Sequence, residues 1–165
     1  MIHDLDIVLS AINSEVAEVQ ANGVSVISKS PDIANARIVF KNRAVANLTA
    51  SRISLKNMRK ARFFQKDAYL SLDFHEKSLE EVLISDAKDK QEGLTLENFE
   101  GIKKNISINK PEIKENNAIL SELESFAEAI QKNETPVVDL EDGYKALRLA
   151  QQIVEAISNQ NQIKL

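Results

Sequence analysis

Between residues 32 and 54 the chain reads DIANARIVFKNRAVANLTASRIS, and this stretch limits the possible folds more than any other. Apolar residues alternate with polar ones along 34–40 and again along 44–50, which is the two-residue period of a strand with one buried face. The three residues between the runs, Lys41-Asn42-Arg43, are short enough for a hairpin loop. Such loops usually place glycine in the left-handed position, so we expect Arg43 to carry backbone strain.

Strand-like patterns recur on both sides of this hairpin. The first occurs at residues 16–26, where Asn22-Gly23 is a turn or bulge. Two more, at 62–65 and 68–74, are joined by Lys66-Asp67 as a second hairpin. The last two occur at 79–84 and around Ile106 and Ile108. The intervening segment 86–101 is polar and acidic, which predicts a loop.

Three helices are predicted from apolar residues at three- and four-residue spacing. The first spans Asp4–Ile12, and Asn117 and Asp139 can cap the other two. Their apolar stripes are Leu120, Leu123, Phe126, Ala127 and Ile130 for the second, and Leu140, Tyr144, Leu147, Ala150, Val154 and Ile157 for the third. A block of strands with one helix before it and two after it predicts an α+β fold. We expect a single domain over residues 1–165, with an open, largely antiparallel (mixed) β-sheet and helices packed on one face.

The composition argues against several classes of protein. The 165 residues are 43% hydrophobic and 28% charged, which is ordinary for one globular domain. A net charge of −4 argues against general binding to nucleic acid. Cysteine is absent, which excludes disulfides and fits a cytoplasmic location. No apolar run approaches the roughly 20 residues that span a membrane, so we expect no membrane partner.

The sequence also lacks the residues that hold common cofactors. It contains neither G-x-G-x-x-G nor G-x-x-x-x-G-K-[ST], and four glycines are too few for a phosphate-cradling backbone elsewhere. The two histidines, His3 and His75, lie far apart in sequence, so a histidine-rich metal site is not expected. No cofactor or metal is therefore predicted in this chain.

The outer face of the predicted sheet has few charges. It consists of Arg37, Val39, Val45, Asn47, Thr49, Tyr69 and Ser71. A solvated face of a broad sheet usually carries more lysine and glutamate, whereas depleted charge with an aromatic residue is typical of an interface. We expect a two-fold homodimer, or a higher homo-oligomer, built through this face.

The first residues, MIHDLDIVLSAIN, resemble the start of the C-terminal domain of the Gfo/Idh/MocA oxidoreductases, which are nicotinamide-dependent sugar and inositol dehydrogenases. Members carry a D-x-x-x-H-D-[IL]-D motif. Residues His3 to Asp6 match its second half, and the leading aspartate would precede Met1. The resemblance continues through PDIANARIVFKNRAVANLTASRIS, KARFFQKDAYLSLDF and EDGYKALRLAQQIVEAI, so it covers nearly the whole chain. Arg43 departs from it, because many relatives have glycine in that hairpin.

This resemblance implies the substrate-binding and oligomerisation domain of an NAD(P)-dependent sugar or nucleotide-sugar oxidoreductase. In the family, a nucleotide-binding domain with a glycine-rich loop and a catalytic lysine precedes this point. We therefore expect the chain to be part of a longer enzyme, a fragment or a truncated gene product, and inactive alone. NAD or NADP belongs to the full-length family and not to this chain.

Three residues are candidates for the site. The resemblance implies that His3 transfers the proton of the sugar hydroxyl being oxidised, for which an imidazole is suited; the alternative is an exposed residue at a helix start. Asp4 binds sugar hydroxyls or, equally, is a first-turn carboxylate stabilised by the helix dipole, and Asp6 is interpreted as structural.

Arg52 is the third candidate and begins a basic run of Arg52, Lys56, Arg59, Lys60, Arg62 and Lys66. Such a run is usually a solvated face, but arginine's planar fork suits the diphosphate of a nucleotide sugar. Arg52 is selected because it is predicted on the strand itself, beside Ala50 and Ser51. His75 is interpreted as a solvated turn residue. The other function left open is a non-catalytic dimerisation or small-ligand-binding module.

Overall fold

A computed structural model describes residues 1–86, 94–97, 101, 103–114 and 116–160. In chain order the elements are α1 (Ile2–Ala11), β1 (Val16–Val24), β2 (Ile33–Phe40), β3 (Val45–Ser51), β4 (Lys60–Gln65), β5 (Ala68–Asp73), β6 (Ser78–Asp86), β7 (Leu94–Glu97), β8 (Lys103–Asn109), α2 (Ala118–Lys132) and α3 (Leu140–Gln160). They form two compact units. The first holds Met1–Ser54 with α2 and α3, and the second holds Leu55–Asn117.

The first unit contains a three-stranded antiparallel sheet in the order β1-β2-β3. The predicted hairpin is present: Ile38 faces Ala46, and Phe40 and Ala44 close the loop by a 2.9 Å backbone hydrogen bond. Arg43 has φ 70°, so the predicted left-handed strain is confirmed. The bulge in β1 lies between Val16 and Glu18 rather than at Asn22-Gly23.

One face of this sheet carries the core of the unit. Ile38 and Phe40 are fully buried there, and α1 contributes Leu5, which is 1% exposed. The smaller residues Ala21, Ala36 and Ala46 complete the sheet's share of the core. The helices α1 and α3 pack over it, which confirms helices on one face of this sheet.

The helix α3 packs through a different stripe from the predicted one. Its buried residues are Ala146, Leu149, Ile153 and Ile157, and only Ile157 belongs to the predicted stripe. Leu140, Tyr144, Leu147 and Val154 are instead exposed. Both stripes satisfy three- and four-residue spacing, so periodicity alone could not choose between them. The predicted cap is confirmed, because Asp139 Oδ1 accepts a 2.9 Å hydrogen bond from the backbone N–H of Asp142.

The core face of the sheet tapers in residue size. One cross-strand row consists of Gly23, Ala34 and Ala50, and the face ends at Phe40 on the other side. At the small end α3 comes close: a Cβ on Gly23 would lie 2.9 Å from Ile157 Cγ2 and 3.0 Å from Pro31 Cβ. Glycine is required at this position because a helix and a turn both pack against its backbone.

The second unit is a five-stranded sheet in the order β4-β5-β6-β8-β7, with every neighbouring pair antiparallel. The second predicted hairpin is confirmed as β4 and β5, in which Phe63 faces Leu70. The loop prediction for 86–101 is wrong at Leu94–Glu97, which forms β7 and pairs with β8. Parts of that predicted loop lie outside the described residues.

The α+β class and the open antiparallel sheet structure are confirmed. The strands divide into two sheets where the sequence suggested one. Tyr69 and Ser71, which were grouped with the outer face of β2 and β3, belong to the second sheet. The single-domain assignment stays a prediction.

Candidate functional site

His3 lies in the first turn of α1, where its side chain is exposed. The helix forms because Leu5, Val8 and Leu9 recur at helical spacing and pack into the core. Its C-terminal end is tied to the β2–β3 hairpin, since Ser14 Oγ accepts a 3.1 Å hydrogen bond from the backbone N–H of Asn42. The buried Leu5 two residues away therefore fixes the turn that presents the His3 imidazole to solvent.

Asp4 follows His3 on the same turn and is half-buried. Its Oδ2 lies 3.4 Å from the amino nitrogen of Met1, and its backbone N–H donates to the Met1 carbonyl at 2.9 Å. A carboxylate in the first turn is favoured by the helix dipole. This geometry is compatible with the structural role of Asp4 and leaves part of its side chain accessible.

Arg52 lies one residue beyond the end of β3, not on the strand as predicted. Its backbone N–H still continues the ladder by donating to the Asp32 carbonyl at 3.0 Å. Its side chain is 61% exposed, and its Nε lies 3.7 Å from Asp32 Oδ1. The guanidinium is therefore oriented by one buried carboxylate while most of its donors face solvent.

Asp32 is the site residue that sequence reasoning missed. Its carboxylate is 1% exposed, and Oδ2 accepts hydrogen bonds from the backbone N–H groups of Val26, Ile27 and Ser28 at 2.8, 2.8 and 3.0 Å. Oδ1 accepts a fourth from the Ser28 hydroxyl at 2.8 Å. These donors, the Ser28 backbone first, hold the pKa of Asp32 far below its usual range.

The sequence signal for Asp32 is the Ser30-Pro31-Asp32 stretch, which is typical of a turn between two strands. Aspartate in such a position can bind the backbone of its own loop. The loop at 25–31 folds around this carboxylate, and β1 ends at Val24 although Val26 had been assigned strand character.

The structure brings together two pairs of residues within the first unit. His3 and Asp4 are neighbours on α1, and Arg52 pairs with Asp32 beyond β3.

Two further residues of the basic run, Arg59 and Lys60, have structural partners. Lys60 pairs with Asp73 at 2.7 Å, and the Arg59 guanidinium lies 4.9 Å from the centre of the Phe74 ring. Lys60 and the N–H of Glu76 hold the pKa of Asp73 below its usual range. His75 is exposed in the turn after β5, as predicted. These residues belong to the second unit, whereas Arg52 belongs to the first.

The outer face of the β1-β2-β3 sheet carries a hydrogen-bonded network of amide and hydroxyl groups with one guanidinium. Asn35 Nδ2 donates to Asn22 Oδ1 at 3.2 Å, and Thr49 Oγ1 donates to Asn35 Oδ1 at 2.8 Å. In the next cross-strand row, Arg37 Nη1 donates to Asn47 Oδ1 at 3.1 Å. These side chains line a shallow depression with amide groups that both donate and accept.

The residues present do not fit a dinucleotide or a metal ion. Of the described glycines, Gly23 is packed against Pro31, Gly143 lies inside α3 and Gly101 lies alone before β8, so they do not form one phosphate-binding turn. Across residues 1–86, 94–97, 101, 103–114 and 116–160, no three histidine, aspartate or glutamate side chains cluster as metal ligands would. In the same residues, no helix has the length and apolarity to cross a membrane.

The fold defines an open α+β domain with a histidine-bearing helix at one edge of its core. A family model described as "Oxidoreductase family, C-terminal alpha/beta domain" matches residues 1–165. The chain belongs to this family, the Gfo/Idh/MocA oxidoreductases, as its C-terminal domain, and the resemblance noted from the sequence is confirmed.

Similar proteins agree with this assignment. UDP-N-acetylglucosamine 3-dehydrogenase from Acidithiobacillus ferrooxidans is 42% identical over 74 residues, which are 45% of this chain and 24% of that protein. A solved structure of the dehydrogenase matches with a TM-score of 0.81 and 28% identity, over 96% of this chain and 46% of that one. Levoglucosan dehydrogenase in complex with NADH has the same fold, with a TM-score of 0.73 and 16% identity over 96% of this chain and 46% of that one. The chain thus spans less than half the length of these relatives.

Proposed function

We propose that this chain is the substrate-binding and oligomerisation domain of an NAD(P)-dependent sugar or nucleotide-sugar oxidoreductase and is inactive alone. The observation that carries the proposal is the family match over all 165 residues, together with the similarity to a UDP-N-acetylglucosamine dehydrogenase. Within that class, a nucleotide sugar is the favoured substrate. The cytoplasmic location expected from the composition belongs to the same proposal.

His3 is proposed as the general acid/base of the complete enzyme. Oxidation of an alcohol requires that its hydroxyl proton be removed, and a neutral imidazole can accept it. The first turn of α1 exposes His3 while Leu5 anchors that turn in the core. Asp4, half-buried beside it, is proposed to accept a hydrogen bond from a neighbouring sugar hydroxyl.

Arg52 is proposed to bind the anionic part of the substrate. A guanidinium can donate two parallel hydrogen bonds to a phosphate. The contact to Asp32 uses the Nε side and leaves the side chain 61% exposed. A sugar alone would not need this cation, so Arg52 favours a nucleotide sugar over a free one.

The chain is proposed to be inactive alone because the described residues offer no dinucleotide cradle. When bound, a nicotinamide cofactor would accept the hydride, and that chemistry lies outside this chain. What these residues supply is the proton acceptor and the contacts that orient the sugar.

Oligomerisation is proposed through the outer face of the β1-β2-β3 sheet and through the sheet of the second unit. The amide-rich outer face of β1-β2-β3 carries both donors and acceptors, so two copies related by a two-fold axis can complement each other. In the second unit, Phe64 stacks at 4.9 Å from Tyr69 while remaining exposed, which adds an aromatic patch typical of interfaces.

A fusion protein tests the proposed function. The N-terminal part of the A. ferrooxidans dehydrogenase that this chain does not span is joined to residues 1–165, and oxidation of UDP-N-acetylglucosamine is followed by the absorbance of the reduced nicotinamide. We expect turnover that neither part has alone. His3→Ala should lower it on the order of a hundredfold or more, as for loss of a general acid/base.

His75→Ala is the matched control, because His75 is also exposed but lies in the second unit's turn. Its turnover should equal that of the unmodified fusion. Equal turnover of the His3 variant across the pH range would remove His3 from the mechanism. A fusion that binds a sugar but never oxidises one would favour the ligand-binding module instead.

A further inference from the structure

The helix α2 presents its apolar side to solvent. Ile119, Leu120, Leu123, Phe126 and Ile130, here called the α2 stripe, are each 51–71% exposed. The covered side of the helix consists of small residues instead, with Ala129 buried and Ser121 and Ser125 half-buried. At 3.6 residues per turn, Leu123 projects from roughly the opposite side of the helix to Ser125. An amphipathic helix that packs on a core has the opposite arrangement, with its apolar side buried and its polar side exposed.

This stripe has the size and shape of a docking surface. Five large apolar side chains in one row expose several hundred Å², the range in which surface patches usually mark interaction sites. A 15-residue helix is marginal in water unless its apolar face packs against something. Phe126 and Leu123 lie at the middle of the row and are the side chains best placed to enter pockets of a partner.

The charges beside the stripe argue against a second copy of the chain as the occupant. Glu122 and Glu124 flank the stripe, and Lys132, the one basic residue of α2, pairs with Glu128 on the other side of the helix. Two copies of α2 facing each other across a two-fold axis would bring these glutamates together, and like charges across an interface are unfavourable. The stripe therefore fits an apolar surface with a basic rim.

The relatives contain a further part of the polypeptide that is large enough to supply that surface. This chain covers 46% of the solved dehydrogenase, so more than half of such a protein has no counterpart here. We infer that the α2 stripe docks the half of a Gfo/Idh/MocA oxidoreductase that this chain does not span, with Leu123 and Phe126 as apolar anchors and basic groups of that half opposite the glutamates. The inference rests on the proposed function, because it takes the chain to work as part of a two-domain enzyme.

Thiol labelling tests the docking directly, because the chain contains no cysteine of its own. Leu123→Cys and Phe126→Cys report on the stripe, and Glu128→Cys, exposed on the other side of the same helix, is the matched control. Labelling rates at each site are read by mass spectrometry in the chain alone at low micromolar concentration and in the fusion described above. We expect the two stripe sites to be protected about tenfold or more in the fusion, as for closure of an open surface, and the control to be unchanged.

Equal labelling of the stripe in the chain and the fusion would overturn the inference. Protection in the chain alone that disappears on dilution would assign the stripe to a second copy and overturn it as well. Leu149→Cys, which is buried, checks that the fusion is folded. If it is not, the N-terminal part is added as a separate polypeptide at rising concentration, and lack of protection at saturation rejects docking. Protection without turnover would leave docking intact while rejecting the proposed activity.

Discussion

Arg52 Nε lies 3.7 Å from Asp32 Oδ1, and the backbone of the two residues is joined by a 3.0 Å hydrogen bond. The aspartate is buried and holds its own loop through four further hydrogen bonds, so it is the fixed partner and the arginine the movable one. A guanidinium held at one edge loses less freedom when its remaining donors bind an anion.

The stability of the protein should decrease in acid because of Asp32. Its pKa is lowered by folding, so its contribution is fully present above the unfolded value of about 3.9 and is lost as pH falls through the folded pKa. Asp32→Asn places an amide against three backbone N–H donors. We expect a lower urea midpoint at pH 7 and a weaker dependence on pH between about 5 and 2.5.

Urea denaturation of the variant and the unmodified chain across that range gives the measurement. Asp6→Asn, on α1, is the control, and it should retain the pH dependence of the unmodified chain. If Asp32→Asn and the unmodified chain lost stability in parallel on acidification, the loop carboxylate would not be the source of the acid sensitivity.

Gly23→Ala should destabilise the first unit by about 1–3 kcal/mol, the usual effect of overpacking. The new methyl would lie 2.9 Å from Ile157 Cγ2 and 3.0 Å from Pro31 Cβ, so the helix or the turn must move. The free energy of unfolding is measured by chemical denaturation. Ile157→Leu, which lacks the Cγ2 methyl, should restore part of the loss in the same background.

Gly143→Ala is the opposite case and serves as its control. Nothing lies within 4 Å of a Cβ at that position in α3. Alanine there should stabilise the helix by roughly 0.5–1 kcal/mol. Equal effects of the two substitutions would mean that the close approach at Gly23 does not determine its cost.

Arg43→Gly should stabilise the protein by about 1 kcal/mol, because a side-chain-bearing residue pays roughly that amount in the left-handed conformation. Arg43 has φ 70° in the β2–β3 loop. Arg43→Ala keeps the strain and removes the charge, so it separates the two effects. A gain in unfolding free energy for alanine as large as that for glycine would assign the effect to charge.

Val45→Lys combined with Thr49→Glu should convert an oligomer into monomers while preserving the fold. Both residues lie on the outer face of β3, and Thr49 takes part in the hydrogen-bonded network with Asn35. Sedimentation at high micromolar concentration measures the mass, and circular dichroism checks the fold. Ser25→Lys with Ser30→Glu, in the exposed loop after β1, adds the same charges elsewhere and should leave the mass unchanged. An unmodified chain that sediments as a monomer would count against the interface.

Calorimetric titration of the chain with NAD and with NADP should give no heat of binding. The described glycines lie in three separate places, and none forms the turn that accommodates a pyrophosphate. Micromolar affinity for either cofactor would contradict the proposal that the cofactor is bound outside this chain.

Local features that follow from the residue pattern of a short segment could be predicted from the sequence. The Phe40–Ala44 hairpin and the Asp139 cap follow from alternation and from a polar residue at a helix start. The packing stripe of α3 could not, because Leu147 and Leu149 belong to two stripes of equal periodicity and only tertiary contacts bury one of them. Asp32 was missed for a different reason: three of the four hydrogen bonds that it accepts within its loop come from backbone N–H groups, which residue types do not reveal.

The taper of the core face, from Phe40 at one end to Gly23 at the other, makes the sheet a wedge beneath the helices. On such a surface, the side-chain volumes at the two ends determine the angle at which a helix lies over the sheet. A larger residue in the Gly23 row pushes the Ile157 end of α3 outward, and a smaller one at Phe40 leaves a cavity at the opposite end. Because α1 packs against α3, a shift of α3 is passed on to the helix that carries His3.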